Sequence, residues 1–240
     1  MPAAPGLNEV HLSCPDCLRH VPSGRFGHAS GECLPRHLHR EAFATVVLEG
    51  SYEEAGDTGL HRVRAGDVVA HRPWERHLDR FGSGGAQVLV LPLPPAFPGT
   101  HGRVADPDAL ARLAERDLAE AGQALLAQWR ADAPSPPDWP ALLARDLLAD
   151  PSLLLSEWSR RHGLHPGSVS RGFAQVFELS PRAYRLQARG HHALRTLDTA
   201  TSLAELAQRC GFADQAHLHR TLRAMTGLTP RQLREAAANA

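Results

Sequence analysis

Short apolar runs alternate with turn residues along the first half of the chain. Between about Arg25 and Pro92, runs such as Phe43–Leu48 and Gln87–Leu91 are separated by polar or glycine-containing turns such as Gly56–Gly59. Brief apolar runs bounded by turn signals are typical of strands that pair through hairpins. The pattern therefore predicts an antiparallel β-domain.

The apolar spacing becomes helical after Asp106. From there to about Trp129 the leucines recur at roughly helical spacing, at Leu110, Leu113, Leu118, Leu125 and Leu126. This stripe packs against the β-domain or pairs with a second subunit, and the spacing leaves both open. Prolines at three of the five positions in 133–137 then predict a semi-extended linker. Beyond it, the spacing predicts helices over 138–149, 153–162, 166–177, 181–196, 202–209, 214–226 and 230–237.

These patterns divide the chain into a β-domain over 1–105, a helix and proline-rich linker over 106–137, and a helical domain over 138–240. The chain has no lysine, so arginine supplies the positive charge. There are 13 Arg and 17 Asp and Glu before Asp138, and 13 Arg and 9 Asp and Glu from Asp138 onward. The two parts thus carry about −4 and +4, as expected of a sensor fused to a nucleic-acid binder. No apolar run approaches the roughly 20 residues of a membrane span, and we expect a cytoplasmic protein.

The helical part contains an internal repeat. Leu155–Gly163 aligns with Leu203–Gly211 at an offset of 48, and Val169–Pro181 aligns with Leu218–Pro230 at an offset of 49. Each copy consists of a short helix, a turn built on glycine and a second helix. This is the layout of a helix-turn-helix unit.

The second helix of each copy has one apolar side and one polar side. Because Arg171 and Arg220 occupy matched positions on the polar sides, we interpret these sides as DNA-reading faces rather than as the solvated faces of core helices. Arg and Gln side chains can reach bases or phosphates in the major groove. The candidate DNA-binding residues are Ser168, Arg171, Gln175, His217, Arg220 and Arg223.

The second copy, Gly211–Arg234, resembles the signature of the AraC/XylS family of transcription regulators, and the resemblance covers about 138–237. It implies a sequence-specific regulator whose two units place their second helices in successive major-groove segments. The implied partners are double-stranded DNA, a small-molecule or metal effector and RNA polymerase. The protein is expected to be a homodimer or a monomer and not to associate with a membrane. Glu178 departs from the pattern, because the second copy has Gly227 there. Leu233 departs as well, where the family often has an aromatic residue.

Two segments of the first half resemble cupin motifs: Gly31-x5-His37-x-His39-x3-Phe43-x6-Gly50, and Gly66-Asp67 followed by Pro73 and His77. The resemblance implies an α+β protein with a cupin-like antiparallel β-barrel that senses an effector, followed by an all-α domain with two helix-turn-helix units. His37 and His39 are two apart on a strand and share a face. His77 would complete a trio.

The chemistry of this trio leaves two interpretations open. Phe43 stands where the cupin pattern has its glutamate ligand, and Glu75 replaces a usual glycine. His37, His39 and His77, with water or Glu41, could still hold a divalent metal such as Zn²⁺. Alternatively, these histidines line a pocket for an organic effector.

A second group of metal or thiol ligands lies near the start of the chain, as His11-x2-Cys14-x2-Cys17-x2-His20. Cys14 and Cys17 are a candidate metal or redox site, but the second C-x-x-C of a zinc ribbon is missing, and an ordinary arm is the alternative. A metal- or redox-sensing regulator is therefore a variant of the main hypothesis. A metallo-cupin enzyme with a helical tail is the rival. The missing glutamate and the family resemblance of the tail argue against that rival, so we expect no enzymatic activity.

Overall fold

The computed structural model describes residues 22–131, 138–150, 152–197 and 202–238. The chain divides into two compact units: among the described residues, 22–145 and Gln175–Glu178 belong to one, and 146–174 and 179–238 belong to the other. Cys14, Cys17 and the predicted linker at 133–137 lie outside the described residues. In the described parts of the chain, no helix is long and apolar enough to cross a membrane.

The first unit is an antiparallel sheet. Its strands are β1 Gly24–His28, β2 Cys33–Leu38, β3 Phe43–Gly56, β4 Gly59–Arg64, β5 Asp67–His71, β6 Arg76–Pro92, β7 His101–Arg103 and β8 Arg130–Ala131. They pair in the order β1-β6-β3-β5-β7-β8, with β2 also on β6 and β4 also on β3. The predicted antiparallel β-domain is confirmed. Hydrogen bonds between the described strands do not close it into a full barrel, because the path ends at β1 and β8.

The long strands β3 and β6 stay paired while they bend. The register of their pairing shifts between Val47 and Glu49 and again between Gly50 and Tyr52. At the second shift Gly50 has a φ of +74°, and a Cβ added there would lie 2.9 Å from the Cα of Ala86. Only glycine combines this backbone conformation with such a close approach of two strands.

One face of the sheet is covered by α1 Pro107–Ala114 and α2 Leu118–Gln128. Leu110 and Leu125 are fully buried in a core that includes Val46 and Leu91 of the sheet. The leucine stripe therefore packs against its own β-unit. The predicted single helical run is divided in two because the Asp117 carboxylate caps α2 by accepting hydrogen bonds from the next turn.

The second unit is helical. Its helices are α3 Trp139–Ala149, which crosses the boundary, α4 Leu155–Arg161, α5 Pro166–Phe177, α6 Pro181–Arg195, α7 Leu203–Arg209, α8 Gln215–Thr226 and α9 Pro230–Ala238. Each begins and ends within two residues of its predicted bounds. The predicted all-α C-terminal part is confirmed.

The repeat is reproduced in backbone geometry. Gly163 and Gly211, in the turns α4–α5 and α7–α8, have left-handed φ values of +66° and +73°. The helix ends also match, since Glu178 has a φ of +54° where Gly227 has +75°. The departure at Glu178 thus leaves the helix end unchanged, although a side chain in this conformation costs roughly 1–2 kcal/mol.

Candidate functional site

A cavity of about 200 Å³ lies on the face of the sheet opposite α1 and α2. Apolar side chains such as Val88 and Phe81 form part of its wall. Its polar lining is concentrated in one cluster, which consists of His37, His39, Glu54, His71, His77 and Asp79. All six of these residues are at least nine-tenths buried.

The structure brings together the three histidines singled out from the sequence. His37 on β2 lies directly opposite His77 on β6, and His39 follows the end of β2. Their ring centroids lie 4.5–4.9 Å apart. The Nδ1 of His37 lies 2.8 Å from the carbonyl oxygen of Pro35, which suits an N–H donor there. This hydrogen bond would make Nε2 the unprotonated ring nitrogen of His37, as is usual for metal-binding histidines.

Sequence reasoning missed the other three members of the cluster. His71 ends β5, and its Nε2 lies 3.6 Å from an Oε2 of Glu54 on β3. Asp79 lies across the β3–β6 pairing from Glu54, and its Oδ2 is 3.6 Å from the Nε2 of His77. The one available signal was the presence of ionisable residues within strands that are otherwise apolar. Glu41, considered above as a further ligand, is exposed in the turn between β2 and β3 and does not belong to the cluster.

Burial controls the protonation of the cluster. Burial, followed by the neighbouring histidines, holds the pKa values of His71 and His77 well below 6.5. Burial raises the pKa of Asp79 to about 7. Burial, together with Asp79 and Glu75, also raises the pKa of Glu54. The imidazoles of His71 and His77 are therefore neutral at physiological pH, and burial works against the charged forms of Glu54 and Asp79.

In the helical unit, α5 presents a polar face to solvent. Ser168, Arg171 and Gln175 are exposed, whereas Val169 and Phe173 on the opposite side are buried. The side chains predicted to contact DNA from this helix are thus exposed.

The matched helix α8 has the same arrangement. Arg220 and Arg223 are exposed, and Leu218 and Leu222 are buried on the opposite side. His217 differs from the other candidates, because it is half-buried with its ring edge-to-face on Phe212, 5.2 Å between centroids. Its position at the start of the helix gives it a packing role in addition to any contact with DNA.

The helix-turn-helix repeat matches a known domain family. Residues 158–236, which span both copies of the repeat, match a family model described as a helix-turn-helix domain. The chain carries an AraC-type helix-turn-helix domain. The prediction of an AraC-type pair of helix-turn-helix units in this part of the chain is thereby confirmed. Among curated protein sequences, none matches the chain significantly.

Several solved structures are similar to the chain. An AraC-type transcriptional regulator from Chromobacterium violaceum is 24% identical over 40% of this chain and 88% of its own, with a TM-score of 0.37. The DNA-binding domain of AdpA, solved with a target DNA, is 24% identical over 43% of this chain and 96% of its own, with a TM-score of 0.39. ToxT from Vibrio cholerae, solved with an unsaturated fatty acid, is 10% identical over 88% of this chain and 94% of its own, with a TM-score of 0.38. At these scores, the assignment rests on the domain match and the helices themselves.

Within the AraC-type domain, α6 fixes the second helix-turn-helix unit. Arg189 donates a hydrogen bond to the carbonyl oxygen of Gly211 in its turn, at 2.9 Å. Asp214 caps α8, with its Oδ1 2.6 Å from the backbone N of His217. The contact from Arg189 joins residues 22 apart, so no periodicity in the sequence could reveal it.

Proposed function

We propose that the protein is a transcription regulator in which a ligand held in the cavity of the β-unit controls sequence-specific DNA binding by the AraC-type domain. The observation that carries the proposal is the duplication itself. Arg171 and Arg220 stand exposed at matched positions on two helices whose turns share the same left-handed glycine.

The DNA-binding part of the proposal assigns α5 and α8 to the major groove. Small or short side chains near each helix start, such as Ser168 and Ala216, allow the backbone to approach the base pairs. Arginines further along, above all Arg220 and Arg223, can donate two hydrogen bonds to guanine or contact phosphate. Gln175 suits adenine in the same way. Because phosphate contacts release counterions, affinity should fall as salt rises.

The sensing part of the proposal assigns the effector to the cavity. About 200 Å³ is below the 300–1,000 Å³ of drug-sized sites, which supports a small ligand. The effector is a small polar molecule or a divalent metal such as Zn²⁺, with His37, His39 and His77 as its first contacts. We also propose that the protein is cytoplasmic, that it is a homodimer or a monomer, and that it contacts RNA polymerase.

The experiment has two stages. The full chain is first used to select genomic DNA fragments, and the affinity for the selected duplex is then measured with Zn²⁺ and with any ligand that native mass spectrometry finds copurified. We expect one of these to change the affinity. The double variant His37→Ala/His39→Ala should bind the duplex like the wild type but lose the response, because the cavity belongs to the other unit. A normal response in the double variant would show that these histidines do not sense the effector.

A further inference from the structure

The cavity contains a second group of metal-ligand side chains that the cupin motifs do not include. Glu54, His71 and His77 each place one ligand atom within 4.8 Å of the others, as His37, His39 and His77 also do. His77 is common to both groups, so an ion that uses it must select one set or the other.

The second group supplies the carboxylate that the motif lacks. Phe43 fills the position of the motif's glutamate, and its ring stacks on His71 with 4.4 Å between centroids. Position 43 is thereby part of the wall that holds His71. Glu54, on the same strand, brings a carboxylate to the ring edge of His71, with 3.6 Å between Oε2 and Nε2.

The spacing within this group fits an ion better than it fits hydrogen bonds. A separation of 3.6 Å between His71 Nε2 and Glu54 Oε2 is too long for a normal hydrogen bond. Two ligand atoms about 2.1 Å from a tetrahedral ion lie about 3.4 Å apart. These two atoms are therefore already close to the separation that a shared ion requires, and the third ligand atom, on His77, lies within 4.8 Å of both.

His77 of this group and its neighbour Asp79 contain unsatisfied polar atoms. The Nδ1 of His77 and the Oδ1 of Asp79 are buried and have no hydrogen-bond partner among the described residues. Both side chains are more than nine-tenths buried. Two buried carboxyl groups, Glu54 and Asp79, lie across from each other in the β3–β6 pairing. A cation beside them would balance the charge that they carry when ionised.

We infer that the cavity binds a divalent transition-metal ion through Glu54, His71 and His77, with Asp79 beside His77 as a balancing charge. Two imidazoles and one carboxylate form a ligand set that suits Zn²⁺, Co²⁺ or Fe²⁺. The inference concerns the metal content of the β-unit, and it holds whether or not this ion is the signal that controls DNA binding.

The test uses the full chain, stripped with a chelator and titrated with Co²⁺ and with Zn²⁺ by calorimetry. We expect one ion per chain. Glu54→Gln and His71→Asn should each weaken binding at least tenfold. His61→Asn, which removes a half-buried histidine outside both groups, is the matched control and should stay within about threefold of the wild type. His37→Asn should weaken binding less than either ligand variant does.

Two further measurements keep the result interpretable. Glu54→Gln preserves the side-chain shape, so the metal-free variant should melt at or above the temperature of the metal-free wild type. X-ray absorption of the Co²⁺-loaded wild type, which needs no variant, should show two imidazoles with oxygen ligands. Three imidazoles, loss of binding in His37→Asn but not in Glu54→Gln, or no binding by the wild type would each overturn the inference. None of these results depends on DNA, so the proposed regulatory function is tested separately.

Discussion

Replacing Gly50 by Ala is expected to destabilise the β-unit far more than the same replacement at Gly31. Both glycines have left-handed φ values, +74° and +69°. A side chain in this conformation costs about 1–2 kcal/mol at either position, of which about 0.4–1 kcal/mol is offset by lower freedom in the unfolded chain. The surroundings of the added Cβ differ between the two positions. At Gly31 no atom lies within 4 Å, whereas at Gly50 the Cβ meets the backbone of Gly85 and Ala86.

Backbone cannot yield as a flexible side chain does, so overpacking should add about 1–3 kcal/mol at Gly50. The predicted loss of unfolding free energy is about 2–4 kcal/mol for Gly50→Ala and about 1 kcal/mol or less for Gly31→Ala. Urea unfolding of the full chain measures the total loss of unfolding free energy in each variant. Hydrogen exchange of peptides from β3 and β6 assigns the loss to the β-unit. Equal losses for both variants would refute the close approach of β3 and β6 at this bulge.

Two other predictions concern single side chains. Arg220→Ala should weaken binding to a selected duplex by about 1–3 kcal/mol in an affinity titration, and Arg171→Ala should weaken it as well. The control Arg231→Ala on α9 should bind almost normally, and an equal loss there would contradict the assignment of the recognition face. Burial and His101 lower the pKa of His61 to about 4, so the folded protein resists a proton that the unfolded chain accepts below about pH 6.5. Stability should therefore fall by up to roughly 3 kcal/mol between pH 6.5 and 4. His61→Gln should reduce this dependence of the unfolding free energy on pH, measured by urea unfolding. An unchanged pH dependence would show that protonation of His61 is not its cause.

The helical unit was predictable because its signals are local. The bounds of α5, for example, follow from Pro166 at its start and from apolar positions spaced along one face. The left-handed conformation of Gly163 and Gly211 also follows from their place in repeated turns. The left-handed φ of Glu178 could not be read from its residue type, since side chains other than glycine rarely adopt that conformation.

The cavity was only half predictable because its members come from several strands. His37 and His39 could be grouped by their separation of two residues on one strand. The approach of Glu54 to Asp79 depends on the register of β3 against β6, which shifts twice before those positions pair. No local pattern encodes such shifts. His71 joins the cluster through the pairing of β5 with β3, which is likewise a property of the fold.

The ratio of affinities for a selected genomic duplex and a scrambled duplex of equal length tests the central claim most directly. It is measured on the full chain across a series of salt concentrations. A sequence-specific regulator should prefer the selected duplex by roughly a thousandfold or more, and both affinities should fall as salt rises. Equal affinities for the two duplexes, or an affinity independent of salt, would contradict the assignment of the AraC-type domain as the sequence-reading part of this protein.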